Sequence, residues 1–152
     1  MAAIVFSTAL KTSALARIAS PTGNKFMDPN EFGAKVRRVE VNHVASGAVG
    51  TTDPIILAEF DRDVTIVGMS LVVDSAVTTV NIGTTPVSLP VDTVNNIAAA
   101  STGFATANSV VTPAGAINLR LTDPSYVIWK PASGSLADTK ILKGSIFYVD
   151  NT

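Results

Sequence analysis

The residues best suited to chemistry lie in one short stretch, EFDRDVTIVGMSLVVDS, at residues 59–75. Glu59, Asp61 and Asp63 alternate there around Arg62. The three carboxylates have two interpretations: a metal or acid–base site, or the polar turn between two strands. Asp61 and Asp63 point the same way only if the chain stays extended through them, and a turn removes that geometry. The oxygen-rich spacing of a calcium loop is missing, so the pattern favours a turn.

Other candidates for catalysis are few. His43 is the single histidine, so a catalytic triad or a histidine metal site would depend on it alone. A hydrolase or lyase would need His43 to lie beside the three carboxylates, whereas a structural or surface histidine needs no partner. We therefore expect no catalytic residue, no cofactor and no metal ligand in this chain.

Two aromatic residues offer a binding surface as one interpretation. Trp129 and Tyr126, in SYVIWKP, could stack on a sugar ring or a base. Val127 and Ile128 lie between them, which favours burial in a strand or a contact between subunits.

Two polar features are expected to be structural. Lys35, Arg37 and Arg38 form a small basic patch, either a solvated strand face or a contact for an acidic protein. The tripeptide TDP occurs at 52–54 and at 122–124. Because proline restricts the residue before it, each tripeptide is expected to mark a strand boundary.

The composition indicates protein partners. Hydrophobic residues make up 47% of the 152 residues and charged residues 15%, against about 25% charged residues in a typical soluble domain. A surface so poor in charge suggests cover by other chains. The net charge is −1 without a block of like charges, so we expect no nucleic-acid partner and no membrane partner.

Export and membrane insertion are also not expected. The chain has no cysteine, which excludes disulfides, zinc–thiolate sites and thiol nucleophiles. The first positive charge, Lys11, follows the first apolar cluster, which is the reverse of the order in a secretory signal. No stretch approaches the ~18 uninterrupted apolar residues of a membrane span.

Residues 1–33 are predicted to form an N-terminal arm. The apolar residues there follow no sustained period, and SPTGNKFMDPNEFG is rich in turn residues. A short helix fits STALKTSALARIAS, with Ser7 as its N-cap, but at that length it would need docking on another surface to be stable. The predicted partner-binding residues of the arm are Ile4, Val5, Phe6, Leu10, Leu15, Ile18, Phe26 and Phe32.

Residues 34–152 are predicted to form one all-β domain. Val39 and Val41 alternate with charged residues, as in a half-buried antiparallel strand. Short strands at this spacing, punctuated by Gly, Pro, Asp, Asn and Ser, indicate an antiparallel β-sandwich with jelly-roll-like topology. The predicted strands are KVRRVEVNHV (35–44), PIILAEF (54–60), VTIVGMSLVVD (64–74), TTVNIGT (78–84), SVVT (109–112), GAINLRLTD (115–123), SYVIWK (125–130) and KGSIFYVD (143–150).

One interior segment has two interpretations. In LPVDTVNNIAAAST, at residues 89–102, Asp92 or Thr93 could cap one or two helical turns that end before Gly103. A long ordered loop explains the same residues equally well.

Two segments carry a resemblance to a known group of proteins. An apolar strand leads through the acidic stretch to VTTVNIGT, and GSIFYVDNT closes the chain. This pattern, over residues 54–83 and 143–152, resembles small virion proteins of tailed bacteriophages, of the capsid decoration or cement type. The resemblance implies a β-sandwich or jelly-roll body, no catalysis, and self-assembly on a shell.

Resemblance and composition together predict a structural virion protein that binds and stabilises a phage capsid as a decoration or cement subunit. Its expected partners are the major capsid protein and further copies of itself, in a homo-oligomer that we expect to be a trimer. Its expected location is the virion, with assembly in the host cytoplasm. An alternative is a tail or head-fibre component or a receptor-binding module, which would need Trp129 and Tyr126 exposed on one face.

Overall fold

The computed structural model of the protein describes residues 36–91 and 94–151. These residues form nine β-strands and one 3₁₀ helix, and among them no helix is long and apolar enough to cross a membrane. The elements are β1 (Val36–Val44), β2 (Ile55–Phe60), β3 (Val64–Val73), β4 (Thr79–Pro86), β5 (Ala98–Ser101), β6 (Val110–Val111), the 3₁₀ helix (Ala114–Ala116), β7 (Leu119–Leu121), β8 (Ser125–Ser133) and β9 (Ile141–Asp150).

The strands form two antiparallel sheets. The five-stranded sheet has the order β1-β9-β3-β6, and β7 also pairs with β3. The four-stranded sheet has the order β2-β8-β4-β5. The pairs β1·β9, β2·β8, β3·β7 and β4·β5 are nested, as if the chain were first folded into one long hairpin.

Two further pairs, β3·β9 and β4·β8, wrap this hairpin into two sheets. Nested pairs wrapped in this way are the topology of a jelly roll. The predicted fold class, an all-β antiparallel sandwich of jelly-roll type, is therefore confirmed for the described residues.

The hydrophobic core lies between the sheets. Alternation along β8 buries Val127 and Trp129 completely, and the ring of Trp129 meets Phe104 edge to face with centroids 5.9 Å apart. Edge-to-face geometry suits the charge distribution of aromatic rings. Burying an apolar side chain of this kind contributes roughly 1.5–3 kcal/mol, so the alternating strands supply most of the stability of the sandwich.

Strand β3 has a buried inner face and a half-buried outer face. A β-bulge between Ile66 and Gly68 adds one residue, so that the inward positions shift phase from Ile66 to Met69. The outer side chains, such as Thr65 and Val72, remain partly exposed. The β-branched residues on both faces therefore reflect a core on one side and an open sheet surface on the other.

Two predicted elements differ from the structure. The strand predicted for GAINLRLTD is limited to β7, because Asn118 adopts a left-handed backbone with φ 57° and ends the alternation before it. Ile117, which belongs to the predicted strand, lies outside β7 and is exposed. The helix considered for residues 89–102 is wrong for the described part, where β5 forms instead. Its two candidate caps, Asp92 and Thr93, lie outside the described residues.

The predicted arm and its eight partner-binding residues lie outside the described residues. The boundary between arm and body at residues 33 and 34 therefore stays a prediction. The other predicted strands match β1, β2, β3, β4, β6, β8 and β9 within a few residues at their ends, although β6 has only two residues.

Gly144 allows the backbones of β9 and β3 to approach closely. A Cβ at this position would lie 2.0 Å from the carbonyl oxygen of Ser70 and 2.9 Å from the Cα of Leu71. Both contacts are with backbone that is already paired in the sheet, so neither can move without opening the ladder. By contrast, a Cβ at Gly68, on the neighbouring strand, would meet nothing within 4 Å.

We expect Gly144→Ala to lower the free energy of unfolding by about 3 kcal/mol or more, because β9 must move away from β3 to admit the methyl group. Gly68→Ala is the matched control and should change the same quantity by less than about 0.5 kcal/mol. Urea unfolding followed by tryptophan fluorescence measures both. Equal losses in the two variants would contradict the role given to this close approach.

Candidate functional site

The acidic corner, residues 59–63, forms the bend between β2 and β3 that the sequence predicts. Glu59 pairs with Tyr126 on the outer face of the four-stranded sheet. Beyond Phe60 the chain bends, and Asp61 and Asp63 then bind different arginines. The bend thus separates the carboxylates that strict alternation would have brought together.

Asp63 holds a bidentate ion pair with Arg120 of β7. Nη2 and Nε of Arg120 donate to the two carboxylate oxygens at 2.6 Å and 3.1 Å. Asn151 donates from its side-chain amide to the same carboxylate at 2.7 Å, and its backbone N–H donates to the carbonyl of Asp63 at 3.1 Å. One aspartate therefore connects the corner to β7 and to the end of β9.

Arg62 and Thr65 add weaker links at the same place. Arg62 donates to Asp61 at 3.0 Å and to Asp150 at 3.4 Å. The amide of Asn151 donates to the hydroxyl of Thr65 at 3.0 Å. Because Arg62 and the carboxylate of Asp61 are largely exposed, solvent screens their pair, and the contact with Arg120 is the stronger constraint.

The charges agree with this geometry. The hydrogen bonds from Arg120 and then Asn151 stabilise the ionised carboxylate and lower the pKa of Asp63 to about 2. The hydrogen bond from Arg62 lowers the pKa of Asp61. Neither aspartate is held protonated as a general acid would be, so both act as anchors for arginine side chains.

The carboxylates of the corner do not converge on a common point. Glu59 faces the outer surface, Asp61 faces Arg62, and Asp63 faces Arg120. In residues 36–91 and 94–151 no group of three His, Cys, Asp or Glu side chains is arranged to hold a metal ion. The arrangement observed is a network of ion pairs and hydrogen bonds.

A depression of about 120 Å³ opens beside the corner, where the edges of β1 and β2 meet. His43 does not reach it. In the β1–β9 ladder His43 pairs with Leu142, whereas Arg37, which lines the depression, pairs with Tyr148, so the histidine lies about 20 Å further along the strand at ~3.3 Å per residue. The hydrolase hypothesis required His43 to lie beside the three carboxylates of the corner, and it does not. The lining residues are Arg37, Val39, Glu59, Phe60, Asp61, Arg62, Val64, Tyr148 and Asp150.

Trp129 and Tyr126 lie on opposite faces of β8. Trp129 is completely buried against Phe104, and Tyr126 is half-buried on the outer face. The two rings therefore cannot form a shared stacking platform. Burial of Trp129, the simpler of the two interpretations, is confirmed.

The predicted basic patch is wrong for its two described residues, whereas the predicted strand boundaries are confirmed. Arg37 and Arg38 point to opposite faces of β1, and Arg38 pairs with Glu40, so they do not form one patch. Lys35 lies outside the described residues. Asp53 accepts a hydrogen bond from the N–H of Gly50 at 3.1 Å in the turn before β2. Both TDP tripeptides precede strands, which confirms the predicted boundaries.

Sequence reasoning missed the partners that make the corner rigid. Arg120 is 57 residues from Asp63, and Asn151 is 88 residues away. Alternation in β7 shows only that Arg120 faces away from the core. No local signal in the sequence connects either residue to the acidic stretch.

Comparison with known proteins gives similarity at the level of structure. No family model and no curated protein matches the chain. A chain from the capsid of Ralstonia phage GP4 is similar with a TM-score of 0.61 and 26% identity, and the match covers 78% of this chain and 86% of that one. A chain of the cyanophage Pam1 capsid asymmetric unit is similar with a TM-score of 0.57 and 16% identity, covering 78% and 87%.

These similarities indicate the general class of protein to which the chain is related, that of phage capsid proteins. The cyanophage chain, at 16% identity, shows the fold alone. The Ralstonia phage chain adds sequence identity over most of both chains. The similarity supports a structural protein of the phage virion, and it indicates a structural rather than an enzymatic role.

We expect Asp63→Asn to change the dependence of stability on pH. The folded-state pKa of Asp63, about 2, lies below its ordinary value of 3.8. The ionised carboxylate therefore stabilises the folded state fully above about pH 4, and this contribution is lost as the pH falls towards 2. The difference between the urea midpoints of the wild type and the variant should be full at pH 6 and should shrink steeply between pH 4 and pH 2.

Asp61→Asn is the matched control, because the side chain of Asp61 is 76% exposed and that of Asp63 is 24% exposed. Its midpoint should stay closer to that of the wild type at pH 6. An equal change in both variants, or a difference for Asp63→Asn that is as large at pH 2 as at pH 6, would contradict the role of the ion pair with Arg120.

Proposed function

We propose that the protein binds and stabilises a phage capsid as a decoration or cement subunit, in contact with the major capsid protein and assembled with copies of itself as a trimer. The observation that carries the proposal is the match to a chain of the Ralstonia phage capsid over 78% of this chain and 86% of that one. Since the match covers most of both, the capsid chain is itself a small protein of similar length. A chain of this kind adds to a shell as a separate subunit.

The exposed apolar residues support the same proposal. Large apolar side chains are exposed on the outer faces of both sheets, among them Val36, Val44 and Val110 on one and Ile56 on the other. The exposure of these side chains favours association, because a neighbouring subunit would bury them. A subunit that is covered by neighbours on a capsid accounts for it.

The structure does not contain the exposed aromatic surface on which the alternative role in a tail, head fibre or receptor-binding module depended. That role required Trp129 and Tyr126 on one exposed face. Trp129 is buried in the core, so the aromatic platform is not available.

The test uses virions of the phage that encodes the chain. Particles made without the gene for this chain should assemble and package DNA. They should release the DNA at a lower temperature than wild-type particles, because the shell lacks the subunit that stabilises it. Adding the purified protein back should restore the release temperature. Mass spectrometry of wild-type virions should find the chain in a fixed ratio to the major capsid protein.

Two results would overturn the proposal. A few copies per particle, located on the tail, would assign the chain to another virion structure. Failure of any shell to form without the gene would make the chain an essential shell protein instead.

The arm is expected to supply much of the attachment. Replacing Phe6, Phe26 and Phe32 together with Ser keeps the length of the chain and removes apolar area worth roughly 1.5–3 kcal/mol for each side chain, before the cost of ordering the arm. We expect at least a tenfold loss of affinity for particles that lack the protein, equivalent to about 1.4 kcal/mol, measured by co-sedimentation.

The control replaces polar residues of the same arm, Thr12, Thr22 and Asn24, with Ala and should bind like the wild type. Thermal unfolding checks that both variants keep a folded body. Wild-type affinity in the triple serine variant would assign attachment to the β-sandwich alone.

A further inference from the structure

The two ends of the sandwich differ in how they are closed. Where β1 finishes, the loops before β2 and β9 bind each other, because the backbones of Val49 and Leu136 exchange hydrogen bonds of 2.8 Å and 2.9 Å. The N–H of Ala45 also donates to the carbonyl of Lys140 at 2.9 Å, and the side chain of Leu136 is completely buried. The loops of the chain therefore close this end, which we name the loop end.

The opposite end, where β1 begins and β9 ends, carries an opening. We name it the corner end, because the acidic corner lies there. The depression of about 120 Å³ opens at this end, and the rings of Phe60 and Tyr148 line it edge to face, with centroids 4.9 Å apart. An engineered cavity of about 150 Å³ holds a benzene ring. The depression therefore has room for one apolar side chain.

Arg37 lines the depression as a cation without a partner in the described part of the chain. The other arginine of the lining, Arg62, binds Asp61 and Asp150. Arg37 is exposed and lies cross-strand from Tyr148. A guanidinium in this position can bind a carboxylate through two parallel hydrogen bonds. The depression thus fits an apolar side chain that is accompanied by a carboxylate.

The loop after β4 adds an exposed apolar residue at the corner end. The N–H of Val87 donates to the carbonyl of Pro124 at 2.9 Å, and the N–H of Val91 donates to the hydroxyl of Thr85 at 2.7 Å. Leu89, between these two anchors, is 75% exposed. Strand β4 ends, like β2, opposite the first residue of β8. The fastened turn that carries Leu89 therefore lies beyond the corner end of β4.

The chain length before β1 limits where the partner of the arm can lie. Residues 1–35 join the body at Val36, the corner-end residue of β1. Phe32, one of the residues predicted to bind the partner, is four residues earlier and can lie at most ~14 Å from Val36, at ~3.6 Å per residue. Val44, at the loop end of β1, lies ~26 Å from Val36 at ~3.3 Å per residue. A partner that holds Phe32 is therefore near the corner end.

We propose that the corner end is the surface of the sandwich that contacts the major capsid protein, which places an apolar side chain in the depression and a carboxylate on Arg37. This inference rests on the proposed function, because it takes the major capsid protein as the partner of the arm. The arm and the corner end then bind neighbouring parts of one shell surface. Once one contact has formed, the effective concentration for the other is high.

The rigidity of the corner end supports the same assignment. The ion pair of Asp63 with Arg120 holds the bend after β2, and the turn that carries Leu89 has an anchor on each side. A surface that is already ordered loses less conformational entropy when it binds. The corner end is thus prepared for contact before the shell is reached.

The test compares two double variants of the full chain by co-sedimentation with particles that lack the protein. Arg37→Glu with Leu89→Asp alters the corner end, and Lys143→Glu with Val44→Asp alters the loop end. In each pair one exposed cation becomes a glutamate and one exposed apolar residue becomes an aspartate. We expect the corner-end variant to bind at least about tenfold more weakly than the wild type, because it loses a charge-assisted contact and an apolar one. The loop-end variant should bind like the wild type.

Thermal unfolding without particles checks that both variants keep the fold of the wild type. If the new carboxylate beside Asp150 lowers the unfolding temperature of the corner-end variant, Arg37→Gln with Leu89→Gln takes its place. This milder variant adds no negative charge and should still bind more weakly than the wild type.

Three results would overturn the inference. The first is a folded corner-end variant that binds particles like the wild type, and the second is an equal loss in the loop-end variant. The third is a corner-end variant whose mass in solution, measured by sedimentation without particles, falls below that of the wild type, since the corner end would then join copies of this chain. Failure of the wild type itself to bind particles would overturn the proposed function as well, whereas these three results leave it standing.

Discussion

Strand β9 pairs along its length with β1 on one side and β3 on the other, and the rest of the sandwich depends on this double pairing. Residues 36–44 and 64–73 both require a strand that ends at Asp150 before either can complete its hydrogen bonds. Such long-range pairing makes a jelly roll slow to form, because loop closure must come before the contacts that stabilise it. The close approach at Gly144 and the network at the acidic corner lie near the middle and at one end of β9. Both features join β9, at the end of the chain, to the region of β3, which comes much earlier in the sequence.

The position of the acidic corner explains why carboxylates serve there as structural anchors. A bend between β2 and β3 must leave one sheet and enter the other, and its backbone cannot use the hydrogen bonds of either ladder. The backbone carbonyl of Asp63 accepts a hydrogen bond from the N–H of Asn151, after β9. Its carboxylate also binds Arg120 of β7 and the side-chain amide of Asn151. An ion pair with two hydrogen bonds holds three chain segments in register more specifically than apolar packing would at an exposed end of a sandwich.

Sequence reasoning predicted the features that depend on local pattern. Period-two alternation identified β1, β3 and β9, and turn chemistry placed Asp53 and Asp61 between strands. Sequence reasoning failed where the local structure depends on an unusual backbone conformation or on partners far away in the chain. The left-handed backbone at Asn118 removed Ile117 from β7, and the loop after β4 was open to a helical interpretation because its anchors are tertiary contacts to Thr85 and Gly83. The bidentate pair of Asp63 joins residues far apart in the chain, and local pattern carries no information about it.

The distribution of polarity separates what stabilises the fold from what faces a partner. Ion pairs and buried aromatic rings are concentrated at the corner and between the sheets, where the chain itself satisfies them. The outer faces keep exposed apolar residues, and the loop after β4 is fastened although it holds Leu89 in solvent. A flexible loop could expose a leucine at little cost, but hydrogen bonds and a required glycine that fix it there serve no purpose in an isolated monomer. Preorganised apolar surface lowers the entropic cost of association, which supports the proposal that neighbouring subunits cover the outer faces of this sandwich.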